Sequence, residues 1–297
     1  MKKNISFKMT RHMLMLLFTA LLFACVSNKS DEQDKPVVTV SILPQKTFIE
    51  KIAGDDFEVQ VLVPHGASPE SYSLLPSQLK ITSRSEVWFR LGYLGFELSW
   101  RDKIKEINQK IQVIDLSEGL DLIVEEEVQH GDHVHHKGVD PHFWMSPVRV
   151  RQMAKKTTEI LSALIPEKSS EYQVNYEKFA AEIDELDQKI RTALKDYQGR
   201  SFITFHPSLA YFARDYGLIQ QSLEFEGKDP TPQQMAKIVE LAQKENIRVI
   251  YIQSEFDKDH ARVFAEEING KILEIKPLSP DWLENIFEMT TQFIENF

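Results

Sequence analysis

Residues 166–198 read PEKSSEYQVNYEKFAAEIDELDQKIRTALKDYQ, with no glycine or proline after the opening Pro166. Tyr172, Tyr176, Phe179, Ile183, Leu186, Ile190 and Leu194 recur at steps of three and four, which places them on one face of a helix. The spacing predicts a single helix of about 30 residues, near 45 Å long at ~1.5 Å per residue. Its charged positions read as a solvated outer face.

On either side the pattern changes to short β-branched or aromatic runs separated by helical stretches. Upstream, residues 37–43, 57–63, 86–91 and 110–116 read as strands, with helices around 44–53, 76–83 and 95–108. Downstream, strands are expected at 201–205, 218–225, 248–255 and 271–276, with helices near 209–216, 231–245, 258–268 and 280–296. Strands alternating with helices of this length predict mainly parallel α/β sheets. The expected fold is therefore α/β with two lobes joined by one long helix: an N-terminal lobe at 36–165, a linking helix at 166–198 and a C-terminal lobe at 199–297. No period of 20 to 50 residues indicates a solenoid.

The first 24 residues fall outside this scheme. Lys2, Lys3, Lys8 and Arg11 precede an apolar run at 13–24, the form of a secretory signal and too short to span a membrane. That run ends Leu22-Phe23-Ala24-Cys25, and Cys25 is the chain's single cysteine. The ending resembles the lipobox at which bacterial prolipoproteins are cleaved and the cysteine is lipidated. Residues 25–35 then read as a lipid-anchored polar tether. These features predict an extracytoplasmic protein held to the membrane by a lipid on Cys25. Formal charge over the 297 residues is −10, and removing the basic leader leaves a body near −14. Such a body repels nucleic acid and suits a cationic ligand. With one cysteine there is no intrachain disulfide, so packing must supply stability.

In an open parallel sheet, ligands sit beyond the carboxyl ends of the strands. Four residues there carry metal-ligating chemistry: Glu70 in the loop after the second strand, His142 between Pro141 and Pro147, His206 after the strand at 201–205, and Glu255. Imidazole nitrogens and carboxylate oxygens from two lobes form the mixed set that zinc or manganese accepts. A further cluster lies at 125–136, where three glutamates precede His130, His133, His135 and His136. Four of the nine histidines within seven residues read as a low-affinity metal-collecting loop.

Several segments together resemble the metal-specific solute-binding proteins of ABC importers, the zinc and manganese uptake group. They are Gly66 to Tyr72 with Pro76-Ser77, Gly95-Phe96-Glu97 with Trp100, Asp140-Pro141-His142-Phe143-Trp144, Phe205-His206 with Tyr211-Phe212, and Pro230-Thr231-Pro232. The resemblance runs from Val37 onward and implies a metal receptor, not an enzyme, that hands its cargo to a membrane permease. It implies His142 and His206 as ligands from opposite lobes. Where the family has Pro-His, this chain has Pro69-Glu70, so the third ligand falls to Glu70, with nearby His65 as the alternative. Where relatives often place an aspartate before Pro-Leu, this chain has Lys276, which cannot ligate while protonated. That leaves Glu255, another carboxylate or water for the fourth position.

A histidine-rich loop at 125–136 is common in zinc-specific members, so the expected cargo is Zn2+, with Mn2+ as the alternative. The resemblance also implies that the long helix acts as a stiff spine allowing little hinge motion. Two other classes fit part of the pattern: a zinc-dependent hydrolase, and a surface adhesin with a structural metal. The hydrolase lacks a His-Glu-x-x-His segment in support.

Overall fold

The computed structural model describes residues 35–124, 138–224 and 230–297, and the backbone alone of 128–130, 133–135 and His260. The expected leader, Cys25, residues 26–34 of the tether and His136 lie outside the described residues, as do the side chains of His130, His133 and His135.

The N-terminal half begins with β1 (Val37–Val40), whose four residues are all buried, as a central parallel strand covered on both faces requires. It is followed by α1 (Leu43–Ala53), β2 (Glu58–Val61), α2 (Pro76–Thr82), β3 (Val87–Arg90), α3 (Gly95–Ile107) and β4 (Gln112–Asp115). All pairings are parallel, in the order β2-β1-β3-β4. A short antiparallel pair, β5 (Val128–His130) and β6 (His133–His135), carries the backbone of the histidine-rich segment above a bridge between Val124 and Val139. One turn of 3-10 helix at Phe143–Met145 leads into α4 (Pro147–Leu164), which Ser146 caps by accepting the Arg149 N–H.

The C-terminal half repeats the plan with β7 (Ser201–Thr204), α6 (Ala210–Tyr216), β8 (Ile219–Ser222), α7 (Pro232–Glu245), β9 (Val249–Gln253), α8 (Asp259–Glu267), β10 (Lys271–Ile275) and α9 (Trp282–Asn296). Its parallel order is β10-β9-β7-β8. Counted from each sheet's own first strand, both orders are 2-1-3-4. In each the chain reverses its winding between the first and third strands, which opens a crevice at their carboxyl ends.

Between the sheets runs α5 (Ser169–Leu194), 26 residues and about 39 Å long. All seven residues of its apolar stripe, Tyr172 through Leu194, are buried. The helix is shorter than its sequence pattern predicts. Pro166–Lys168 forms a separate 3-10 turn, and Ile165, whose backbone (φ −130°, ψ 79°) is not helical, ends the run from α4. At the far end Gln198 has left the helix and its side chain donates to the Tyr216 carbonyl (2.8 Å).

α5 packs on α1 and α4 and also on α9. One apolar core consequently runs from Phe48 and Trp88 through Phe179 and Ile183 to Phe202, Trp282 and Phe293. Phe48 meets Trp282 edge-on with centroids 5.5 Å apart, and the Thr47 hydroxyl donates to the Pro280 carbonyl (2.7 Å). The far face of the second sheet has its own cluster, including Ile203, Phe205, Ile250, Ile252 and Phe264. Among the described residues no helix is long and apolar enough to cross a membrane.

Candidate metal centre

The fold brings three of the four expected ligands together. Potential ligand atoms of Glu70, His142 and His206 all lie within 4.8 Å of one another, the only such group of three or more among the described residues. The two Nε2 atoms are 3.2 Å apart, and His142 Nε2 lies 3.9 Å from Glu70 Oε1.

Each imidazole is held from behind. His142 Nδ1 is 2.9 Å from Asp140 Oδ1, which also accepts the His142 backbone N–H (2.8 Å). His206 Nδ1 is 2.7 Å from Glu224 Oε2. A carboxylate can only accept here, so each Nδ1 carries the proton and each Nε2 presents its lone pair to the other. Two lone pairs facing at this distance repel unless a cation or a proton sits between them. For tetrahedral zinc at a Zn–N distance of ~2.0–2.1 Å, two nitrogen ligands stand about 3.3 Å apart. The imidazole pair thus already has ion-binding spacing, while Glu70 stands about half an ångström too far from His142.

The electrostatics agree with this. Burial works to lower the His142 pKa, but the Asp140, Glu70 and Glu224 carboxylates outweigh it and leave the pKa above the ordinary 6.5. The surroundings favour positive charge at His142, whether it arrives as a proton or as an ion.

The ligand loops owe their positions to local sequence. Parallel pairing of Thr204 with Ser222 carries on past both strand ends, so that His206 and Glu224, each two residues further, stand side by side. Gln253, the last residue of β9, is buried; its Nε2 donates to the His206 carbonyl and the Ser208 hydroxyl, both at 2.7 Å. The His142 segment is braced across the cleft: Trp144 Nε1 donates to the Pro277 carbonyl (3.0 Å) and Trp282 Nε1 to the Trp144 carbonyl (2.9 Å). The Tyr211 hydroxyl donates to the Asp140 carbonyl (2.8 Å) and accepts the Ile123 N–H (2.9 Å). Beside it, the buried Arg149 guanidinium pairs with Asp215 at 2.6 Å.

Glu255 lines the same cavity without joining the cluster of Glu70, His142 and His206. β9 ends at Gln253, two residues before Glu255, and the Glu255 carboxylate accepts the Ser254 hydroxyl (2.9 Å). His65 and Lys276 are exposed, and neither lines the cavity. Asp140, Glu224 and Gln253 went unassigned in the sequence, although a parallel register offset of 18 residues would have paired Glu224 with His206. The cavity has a volume of about 20 Å³ and apolar walls from Trp144, Phe256, Pro277 and Leu278. The Trp144 ring lies 5.1 Å from the His142 ring, and Phe256 stacks on His206 at 5.4 Å.

An ion-sized cleft between two parallel sheets of matching order is the architecture of a two-lobe α/β binding protein. The chain belongs to the family described as zinc-uptake complex component A, periplasmic, whose model matches residues 38–296. Its fold matches a crystal structure of a zinc-bound ZnuA carrying a 138–173 deletion, with TM-score 0.82 and 33% identity over 89% of this chain and 98% of that one. In sequence it is 26% identical to the high-affinity zinc uptake system protein ZnuA of Bacillus subtilis, over 84% of this chain and 83% of that protein. It is likewise 26% identical to the zinc-binding lipoprotein AdcA of Streptococcus pneumoniae, over 96% of this chain but 57% of that longer protein.

Proposed function

We propose that this protein is the extracytoplasmic receptor of an ABC-type zinc importer, capturing the ion on Glu70, His142 and His206 and delivering it to a membrane permease. The observation that carries this reading is the opposed imidazole pair, spaced for a tetrahedral ion and backed on each side by a carboxylate. Family membership supplies the transport context, and the zinc named in its relatives favours zinc over manganese. Water or Glu255 completes the coordination. A cavity of about 20 Å³ lined by the three clustered residues suits an ion with about one water. Cys25 is the lipid attachment point, as the lipoprotein relative also suggests. His130, His133, His135 and His136 act as a weak collecting site. The division into lobes at 36–165 and 199–297, joined by the segment 166–198 that contains α5, describes the two bodies between which the ion is held.

Competitive zinc and manganese titration of the mature protein, beside His142→Ala, His206→Ala and Glu70→Ala, tests the site. One tight zinc site, weakened in all three variants, is expected; unchanged tight binding in both histidine variants sinks the reading. Deleting 130–136 should leave the tight site intact. Loss of zinc uptake by cells lacking the protein checks the transport role, and retention of the wild-type protein in the membrane fraction, lost in Cys25→Ala, checks the anchor.

A further inference from the structure

The N-terminal half buries a carboxylate that the metal centre does not touch. Glu97 is the third residue of α3 and is fully buried. Its Oε1 accepts the Ser41 hydroxyl and the Leu91 N–H (2.7 Å), and its Oε2 accepts the Gly92 N–H (2.6 Å). The Ser41 oxygen itself accepts from Trp88 Nε1 (3.1 Å), which leaves the hydroxyl proton free for Glu97. Ser41 directly follows β1, while Leu91 and Gly92 directly follow β3. One side chain therefore ties the start of α3 to the carboxyl ends of the two central strands. Burial pushes the Glu97 pKa up to about 7 against the pull of these donors and of Arg90. A carboxylate so placed is costly and needs its hydrogen bonds to persist.

The two residues before Glu97 support the Glu70 loop. The Phe96 N–H donates to the Pro69 carbonyl (3.3 Å). Gly95 lies so close to the Glu70 backbone that a Cβ there would collide with the Glu70 carbonyl oxygen. A continuous path thus leads from the strand ends through Glu97 to the backbone of Glu70.

We propose that Glu97 is a positioning residue for the metal centre: by anchoring the first turn of α3, it sets where the Glu70 carboxylate meets the two imidazoles. This rests on Glu70 being a ligand. All the groups bonded to Glu97 are donors, so Glu97→Gln turns an amide NH2 toward a donor and loosens the anchor without shortening the side chain.

The test is a double-mutant cycle read as zinc affinity by chelator competition, using wild type, Glu70→Ala, Glu97→Gln and the double variant. Glu97→Gln should weaken zinc about tenfold, the scale of partners that orient ligands, and should have no further effect in the Glu70→Ala background. A loss of equal size in that background, or no loss in the wild type, overturns the proposal. Wild-type affinity in Glu70→Ala alone would instead remove Glu70 as a ligand and take this proposal with it, a distinct result. Should Glu97→Gln fail to fold by circular dichroism, Ser41→Ala takes its place in the same cycle. It removes one donor of three and should give a smaller loss that also vanishes without Glu70.

Discussion

The loops carrying His142 and Glu70 both leave the N-terminal half, yet they are held in opposite ways. The His142 segment is locked to the C-terminal half by Trp144, Trp282, Tyr211 and the Arg149–Asp215 pair, and its imidazole is buried. The Glu70 loop rests on α3 of its own half, and its side chain is 39% exposed. By contact His142 belongs with His206, although 64 residues separate them. In the proposed site, the difference separates a preformed pair of imidazole nitrogens from a carboxylate that stands about half an ångström outside ligating distance of His142.

The sharpest way to break this comparison is to remove the brace. Asp215→Ala leaves the buried Arg149 guanidinium with only its longer contacts to the exposed Asp121 and to Ser146, and loss of the buried partner should cost up to roughly 3 kcal/mol of stability, measurable by chemical denaturation. Zinc affinity should fall as well, because the His142 segment loses its clamp. Removing either imidazole should weaken zinc by more than about 100-fold, or ~2.7 kcal/mol, whereas Glu70→Ala should cost closer to tenfold. Equal losses in all three would show that the carboxylate is as fixed as the histidines.

Asp140→Asn should weaken zinc by about tenfold and also alter its pH dependence. Because the His142 pKa is raised, protons compete with zinc beginning above pH 6.5, and affinity falls as the pH drops through that region. Without the Asp140 charge, burial of the ring is opposed by less, the His142 pKa drops, and the decline should move to lower pH. A decline that stays in place in Asp140→Asn would mean that another group governs it.

Much of the architecture was legible because it follows from periodicity. Every member of the Tyr172 to Leu194 stripe is buried, and all eight strands of the two parallel sheets lie within the runs that suggested them. Helix ends were less legible, since Ile165 and Pro166 break the chain by backbone conformation and not by pattern. At the centre, His142, His206 and Glu70 could be found from motif positions. Their supports could not, because Asp140, Glu224 and Gln253 gain meaning only once strand registers and loop paths are known. The strand run at 248–255 extended two residues too far. That overrun gave Glu255 a place at the strand end that Gln253 holds.

Trp144 gives the protein a built-in optical gauge. It is one of four tryptophans, and its ring, 5.1 Å from His142, is the one that walls the ion cavity. Arrival of a divalent charge at His142 changes the electric field across that indole, so intrinsic fluorescence should report occupancy in real time without any label. Trp144→Phe should abolish the signal and, because it also removes the hydrogen bond to the Pro277 carbonyl, should weaken zinc, so occupancy of the variant is followed by chelator competition.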